Sequence, residues 1–285
     1  MHEAGHGMIV YGSMDRQTLD AAYNNSAAVA DSERYLADWV RRSETLRARR
    51  PDHLDLAYGD ASRARLDFFP ASRTGAATLL FFHGGYWQRN AKEGFSFVAE
   101  GPLAHGIHVA VAGYTLAPEA TMDVIVREAR AALRWLHQHI AALGGDPARL
   151  YVSGWSAGGH LAAMLMDEAL VAGGLAISGL FDLEPIRLSY LNEKLSLDAA
   201  QARRNSPLLN LPARAAKLII AYGSHELPEL KRQSREFGAT WSAHGLPGEM
   251  MEVAGRHHYA VLEQLARPEG LLAKALAVCA GTDPG

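Results

Sequence analysis

The amino-acid sequence predicts an α/β protein with a mostly parallel central sheet and helices on both faces. Short apolar runs of strand length alternate along the chain with longer segments of helical apolar spacing. Several runs are almost wholly apolar, which is typical of parallel strands buried on both faces. Glycine-rich or polar loops follow the runs directly, and such folds bind their ligands at these strand ends.

Composition excludes several classes of function. The chain of 285 residues has 48% hydrophobic and 21% charged residues and a net charge of −3, which is ordinary for a globular domain and gives little support to nucleic-acid binding. No apolar run reaches the ~18 residues of a membrane span, and no signal peptide is visible. The one cysteine, Cys279, fits a reducing compartment. We therefore expect a cytoplasmic protein with a small-molecule partner and neither nucleic-acid nor membrane partners; a homodimer is compatible with the sequence.

A short metal-binding pattern stands at the start of the chain. Residues 2–6 read His-Glu-Ala-Gly-His, which matches the HExxH signature of zinc enzymes. That chemistry needs both histidines on one face of a stable helix, and the glycines in and after the motif oppose a helix. We therefore expect no metal or other cofactor, a flexible segment over residues 1–20 and a single domain over residues 21–285.

The elements follow in a regular order. Residues 20–50 have a polar helical pattern, and residues 181–210 lack periodicity and contain prolines. We expect these two segments to form a small cap. The other predicted elements are an edge hairpin at 54–58 and 65–69, strands at 77–82, 107–111, 150–152, 174–178, 217–222 and 249–253, and helices at 122–143, 229–244 and after 259.

The strand at 150–152 leads into Gly-Trp-Ser-Ala-Gly at residues 154–158, and a helix-prone run follows. A serine in a G-x-S-x-G turn between strand and helix has a strained backbone, and its hydroxyl projects above the sheet edge. A glycine-rich turn without function also tolerates serine. The flanking strand and helix favour Ser156 as a nucleophile.

A second glycine-rich loop follows the strand at 77–82. It reads His83-Gly-Gly-Tyr-Trp at residues 83–87. Gly84 and Gly85 allow the backbone to approach a ligand and to turn its amides towards a developing oxyanion, together with the amide of Ala157. Another glycine turn is the alternative interpretation, and His83 itself fits a loop-organising role better than proton transfer.

The remaining catalytic parts are a base and a carboxylate that orients it. In this architecture the order along the chain is serine, acid, histidine, and Ser156, Glu226 and His258 fit that order, each after a predicted strand. Glu229 in the same loop and Asp182 after the preceding strand are alternative acids. His257 likewise competes with His258 for the role of base.

With these residues in place, the chain resembles the α/β-hydrolase type of kynurenine formamidase (arylformamidase), near the hormone-sensitive-lipase branch of esterases. The resemblance implies the α/β-hydrolase fold, hydrolysis of N-formylkynurenine to kynurenine and formate, and no metal. It departs at Glu226, where the family has aspartate, and at residues 256–258, where an acidic residue normally precedes the catalytic histidine. The segments that carry the resemblance are residues 83–87, 156–161, 178–185, 204–207, 228–234 and 258–259.

An aryl formamide suits this set of residues. Tyr86, Trp87 and Trp155 are candidates for an aromatic wall beside the substrate ring, although core packing is an equally ordinary role for such side chains. Two other functions remain open at this point: a general short-chain carboxylesterase of the same fold, and a binding protein without catalytic activity.

Overall fold

A computed structural model describes residues 8–282. The pattern at residues 2–6 lies outside the described residues. The strands are β1 (Ile9–Tyr11), β2 (Met14–Asp15), β3 (Leu56–Ala57), β4 (Arg65–Phe69), β5 (Ala76–Phe82), β6 (His108–Ala112), β7 (Gly145–Trp155), β8 (Gly173–Ile177), β9 (Leu218–Gly223) and β10 (Gly248–Val253). The α-helices are α1 (Arg16–Ala22), α2 (Asn25–Ala28), α3 (Ser32–Arg49), α4 (Glu100–Ala104), α5 (Met122–His139), α6 (Ala157–Met164), α7 (Glu184–Leu188), α8 (Asn192–Leu195), α9 (Ala199–Arg204), α10 (Pro228–Ala243), α11 (Glu263–Ala266) and α12 (Leu271–Cys279).

Eight of these strands form the central sheet, in the order β10-β9-β8-β7-β5-β6-β4-β3. The pairs from β10 to β6 are parallel, whereas β4 pairs antiparallel with both β6 and β3. The sequence prediction of a mostly parallel sheet with an antiparallel hairpin at its edge is therefore confirmed. The parallel order brings the carboxyl ends of β5, β7, β9 and β10 to one edge of the sheet.

The apolar runs explain why the sheet is buried on both faces. Successive residues of a strand point to opposite faces, so Leu80 and Phe82 of β5 pack in one apolar cluster together with Leu133 of α5. Leu79 and Phe81 pack in a second cluster on the other face. Every residue of β5 is buried. The run is almost wholly apolar because a buried polar group without a hydrogen-bond partner costs free energy. Thr78 is the exception, since it is fully buried and its hydroxyl has no hydrogen-bond partner within residues 8–282.

Residues 8–20 contain regular secondary structure. Residues 8–20, expected to be flexible, contain the β1–β2 hairpin and the first turns of α1. Asp15 caps α1 by accepting a hydrogen bond from the amide of Thr18 at 2.9 Å, and Leu19 is fully buried in the core. Leu19 makes this apolar contact with parts of the chain that are distant in sequence.

The two predicted cap segments lie against each other. The amide of Tyr190, in the second segment, donates to Asp20 at the start of the first at 2.7 Å. Tyr11, which precedes the first segment, also donates its hydroxyl to Asp182 at 3.0 Å. The predicted helix over residues 20–50 is divided into α1, α2 and α3. No helix in residues 8–282 is long and apolar enough to cross a membrane.

Candidate active site

Ser156 occupies the turn between β7 and α6. Its φ of +58° lies in a region that side chains rarely adopt, and its amide donates to the carbonyl of Ile177 at 2.8 Å. The flanking glycines are required by space: a Cβ on Gly154 would lie 2.2 Å from the carbonyl oxygen of Gly158, and one on Gly158 would lie 1.9 Å from that of Phe82. The sequence therefore forms the strained serine turn that the G-x-S-x-G pattern predicts.

His258 and Glu226 form a buried pair beside the serine turn. Glu226 follows β9, His258 follows β10, and Nδ1 of the histidine lies 3.1 Å from Oε2 of the glutamate. The other carboxylate oxygen, Oε1, accepts hydrogen bonds from the Ser178 hydroxyl at 2.5 Å and from the Gly223 amide at 2.7 Å. These two donors fix the orientation of the carboxylate. Ser156, Glu226 and His258 are 2%, 5% and 3% exposed, so the whole group is shielded from bulk water.

The alternative residues are engaged elsewhere. Glu229 binds Arg232 at 2.9 Å, in the first turn of α10, and Asp182 accepts the hydroxyl of Tyr11. The Nδ1 of His257 accepts hydrogen bonds from the amides of Tyr259 and Ala260 at 3.3 and 3.2 Å. Its ring makes a T-shaped contact with Tyr35 at a centroid distance of 5.2 Å. Of the three candidate acids, Glu226 is the one that the structure brings to His258.

A small cavity of about 100 Å³ lies beside Ser156 and His258. Ser156, His258 and Gly85 line it together with Tyr86 and Trp155, so five of the predicted site residues share one space. The cavity is smaller than the ~300 Å³ at the lower end of ordinary ligand pockets. It accommodates a small reacting group and leaves the rest of a larger ligand at its mouth.

The two glycines of the predicted oxyanion loop have different positions. Gly85 has a φ of +120° and lines the cavity. Gly84 lies behind it, and a Cβ there would lie 2.5 Å from the ring of Trp155. Ala157 is the first residue of α6, where an amide has no carbonyl partner within the helix and carries the positive end of the helix dipole.

His83 organises the glycine loop. It is fully buried and stacks on Tyr114 at a centroid distance of 4.4 Å, and its Nδ1 lies 2.9 Å from the carbonyl oxygen of Gly84. Burial lowers the pKa of His83 to about 4, so the ring is neutral at neutral pH. Its position is consistent with a loop-organising role.

The three predicted aromatic residues do not act as one wall. Tyr86 and Trp155 line the cavity, and Trp155 also donates its indole N–H to the carbonyl of His258 at 2.8 Å. Trp87 is fully buried away from the cavity, with its ring edge-on to His160 at 4.9 Å. Trp87, which the sequence predicts as a substrate contact, does not line this cavity, because the backbone has positive φ at both Tyr86 and Trp87 and directs Trp87 into the core.

Several residues of the site have no motif that would have identified them. Ser178 orients Glu226 from the end of β8. The cavity is completed by residues from the N-terminal segment, from the glycine loop and from the residue after His258, namely Asn25, Ser26, Leu36, Arg89, Asn90 and Tyr259. Over the described part of the chain, no group of three or more His, Cys, Asp or Glu side chains is arranged to hold a metal ion.

Comparison with known proteins agrees with this geometry. A family model for the alpha/beta hydrolase fold matches residues 79–256, which contain Ser156 and Glu226. The carboxylesterase EstE1 superposes with a TM-score of 0.65 at 23% identity, covering 76% of this chain and 82% of its own, and this supports the fold alone. The fold and the serine turn thus define an α/β hydrolase.

More specific relatives cover most of the chain. A kynurenine formamidase of Danio rerio is 32% identical over 93% of this chain and 96% of its own, and one of Salmo salar is 33% identical over 74% and 76%. The crystal structure of a protein from Silicibacter sp. TM1040, provisionally described as a thioesterase, has a TM-score of 0.80 and 31% identity over 90% and 97% of the two chains. The chain belongs to the kynurenine formamidase family of α/β hydrolases.

Proposed function

We propose that the protein hydrolyses the N-formyl group of N-formyl-L-kynurenine, which gives kynurenine and formate. The observation that carries this proposal is that His258, paired with Glu226, lines the same small cavity as Ser156. The similarity to kynurenine formamidases over nearly the whole chain supports the substrate. We also propose that the enzyme works in the cytoplasm, an inference supported by its use of a single cysteine.

The geometry supports a two-stage acyl transfer. The Ser156 hydroxyl attacks the formyl carbon while His258 takes its proton, and Glu226 stabilises the imidazolium that forms. Amides at Gly85 and Ala157 stabilise the negative oxygen of the tetrahedral intermediate. That intermediate expels the arylamine, which receives the proton from His258, and leaves a formyl ester on Ser156. Water, deprotonated by His258, then hydrolyses the ester, which releases formate and restores the serine hydroxyl.

The size of the cavity favours a formyl group as the acyl part. A formyl carbon carries only a hydrogen where other acyl groups carry a chain, so it fits beside Gly85 without displacing the wall. Trp155 is held in place through its hydrogen bond to the His258 carbonyl and through edge-on contact with Trp39 at 5.3 Å. A rigid wall of this kind discriminates by acyl size, since enlarging the cavity means breaking these contacts.

The test is the turnover of N-formyl-L-kynurenine beside 4-nitrophenyl acetate, with Ser156→Ala as the control. We expect the formamide to have the higher kcat/KM, and we expect Ser156→Ala to lose at least about 10³-fold of it, because the nucleophile is gone. If the wild-type protein cleaves only the ester, the function is that of a short-chain carboxylesterase and the formamidase proposal is refuted. Unchanged formamide turnover by Ser156→Ala would refute the assignment of the nucleophile.

A further inference from the structure

The loop after Gly85 carries an exposed arginine back to the mouth of the active-site cavity. Arg89 lines the cavity, and its amide donates to the carbonyl of Gly85 at 3.1 Å. The turn depends on glycine, because a Cβ on Gly85 would lie 2.5 Å from the carbonyl oxygen of Arg89. Gly85 therefore both lines the cavity and permits the turn that positions Arg89.

The backbone on both sides of Arg89 is fixed. Asn90 donates its side-chain amide to the carbonyl of Gly84 at 3.0 Å, and Arg63 donates to the carbonyl of Asn90 at 2.5 Å. On the other side, the side-chain amide of Gln88 donates to the carbonyl of Leu191 at 2.7 Å. The long side chain of Arg89 therefore starts from an anchored turn, and only its own torsions have to be ordered when a ligand binds.

The guanidinium of Arg89 has no carboxylate partner among the residues that the structure describes, since no ion pair or side-chain hydrogen bond involves it. Arg232, by contrast, is paired with Glu229 at 2.9 Å. Among the residues lining the cavity, Arg89 and the His258 imidazole are the ones able to carry a positive charge, and none carries a carboxylate. Burial raises the pKa of the Tyr190 phenol, and the positive charge of Arg89 opposes that rise. The electrostatic field of the guanidinium therefore reaches Tyr190 in the segment 181–210.

The size of the cavity determines which part of a bound aryl formamide reaches the Arg89 guanidinium. A space of about 100 Å³ encloses the formamide and part of its ring, and the rest of an aryl formamide must extend through the mouth. In the proposed substrate that remainder is the amino-acid group, which carries an α-carboxylate and an α-ammonium group. A guanidinium presents a planar fork of N–H donors that matches a carboxylate in two parallel hydrogen bonds.

We propose that Arg89 binds the carboxylate of the substrate and makes the enzyme selective for aryl formamides that carry a carboxylate. This inference rests on the proposed function for the identity of the substrate. Arg89 is a specificity-determining residue that leaves the bond-breaking steps to Ser156 and His258.

The experiment compares N-formyl-L-kynurenine with N-formylkynuramine, which keeps the ring, the ketone and the ammonium group but lacks the carboxylate. For Arg89→Ala we expect kcat/KM on the carboxylate substrate to fall at least about tenfold, mostly through KM, because a charge-assisted contact outside the reacting group is lost. Turnover of N-formylkynuramine should change less than about twofold. Arg89→Lys should recover part of the preference, since it keeps the charge but not the fork. Arg73→Ala, which removes an exposed arginine before β5 at the opposite end of the sheet, is the matched control and should behave as wild type.

A second measurement keeps the test independent of formamidase activity. L-kynurenine and kynuramine are compared as inhibitors of 4-nitrophenyl acetate hydrolysis, where we expect L-kynurenine to bind more tightly to wild type and the difference to vanish in Arg89→Ala. If the wild-type protein turns over no formamide but shows this difference, the proposed function fails and the role of Arg89 stands. If wild type has no preference for the carboxylate ligands, or if Arg89→Ala keeps the preference, the role of Arg89 is refuted. An equal loss on both substrates would likewise refute it, because it would indicate damage to the loop.

Discussion

Two buried histidines, on the loop after β10 and on α6, differ in the group that each one faces. His258 lies beside the cavity with its Nδ1 3.1 Å from the carboxylate of Glu226. His160 is four residues after Ser156, fully buried, and its Nε2 lies 2.7 Å from the carbonyl oxygen of Asn205. A carboxylate stabilises the imidazolium that forms when a histidine takes a proton, whereas a neutral carbonyl in a dry site compensates little of the cost of burying that charge.

The consequence for His160 is a structural role. Burial lowers its pKa to about 4, which the hydrogen bond to Asn205 opposes only in part. The ring stays neutral at neutral pH. Through its hydrogen bond to Asn205 it connects α6 to the segment 181–210. A histidine that is buried and close to the nucleophile is therefore not necessarily a catalytic base. The hydrogen-bond partner of the ring distinguishes the two, a carboxylate for His258 and a neutral carbonyl for His160.

The largest expected effect separates the two histidines directly. His258→Gln should lower kcat/KM by at least about 10³-fold, because no group remains to take the serine proton. His160→Gln should lower it by less than about tenfold and should reduce the free energy of unfolding by about 1–3 kcal/mol, because its buried contacts are disturbed. Steady-state kinetics and urea unfolding measure the two quantities. Similar kinetic losses in both variants would contradict the comparison.

The carboxylate partner is tested next. Glu226→Gln should lower kcat by about 10²–10⁴-fold, since the amide keeps the shape but neither stabilises the imidazolium nor enforces the correct tautomer. Glu229→Gln is the matched control, in the same loop region and engaged with Arg232. The account is wrong if the control loses more activity than Glu226→Gln.

A smaller effect is expected at Ser178, which orients the carboxylate. Ser178→Ala removes the 2.5 Å hydrogen bond to Oε1 of Glu226 and leaves the one from the Gly223 amide. We expect kcat to fall about tenfold with little change in KM, because one charge-assisted hydrogen bond contributes about 1.5–3 kcal/mol at most. A variant as active as wild type would show that the Gly223 amide alone is sufficient to orient Glu226.

The smallest effect concerns stability and pH. The pKa of His160 is about 4 in the folded protein and near the ordinary ~6.5 in the unfolded chain, so the unfolded state binds more protons between these values. Stability should therefore fall as the pH is lowered from about 6.5 towards 4, by up to about 1.4 kcal/mol per pH unit from this residue. Urea unfolding at several pH values measures this slope, and it should be shallower in His160→Gln. The same slope in both proteins would contradict the assignment.

The sheet and the serine turn could be predicted because their signals are local. An apolar run and the two glycines of the serine turn lie within short segments, and the structure contains both. The order of serine, acid and histidine spans a longer stretch, but it can be read directly from the sequence. The choice among Glu226, Glu229 and Asp182 rested on loop position, and the hydrogen bonds now favour Glu226 over the other two.

The rest of the site depends on contacts between distant segments. Asn25 of α2 and Leu36 of α3 line the cavity, although they are far from Ser156 along the chain. No sequence motif predicts this packing. Trp87 was expected in the wall and is buried, since a positive φ at two successive residues redirects the loop. The same turn returns Arg89 to the cavity. Side-chain direction in such a loop is set by backbone torsions that residue types alone do not reveal.

The most direct test of the account is the site and rate of labelling by an organophosphate that traps activated serines, followed by intact-mass measurement and peptide mapping. The account predicts one adduct, on Ser156, formed at the wild-type rate in His160→Gln and far more slowly in His258→Gln and Glu226→Gln. Failure of the wild-type protein to react, attachment to another residue, or equal labelling of the His258 and His160 variants would contradict it.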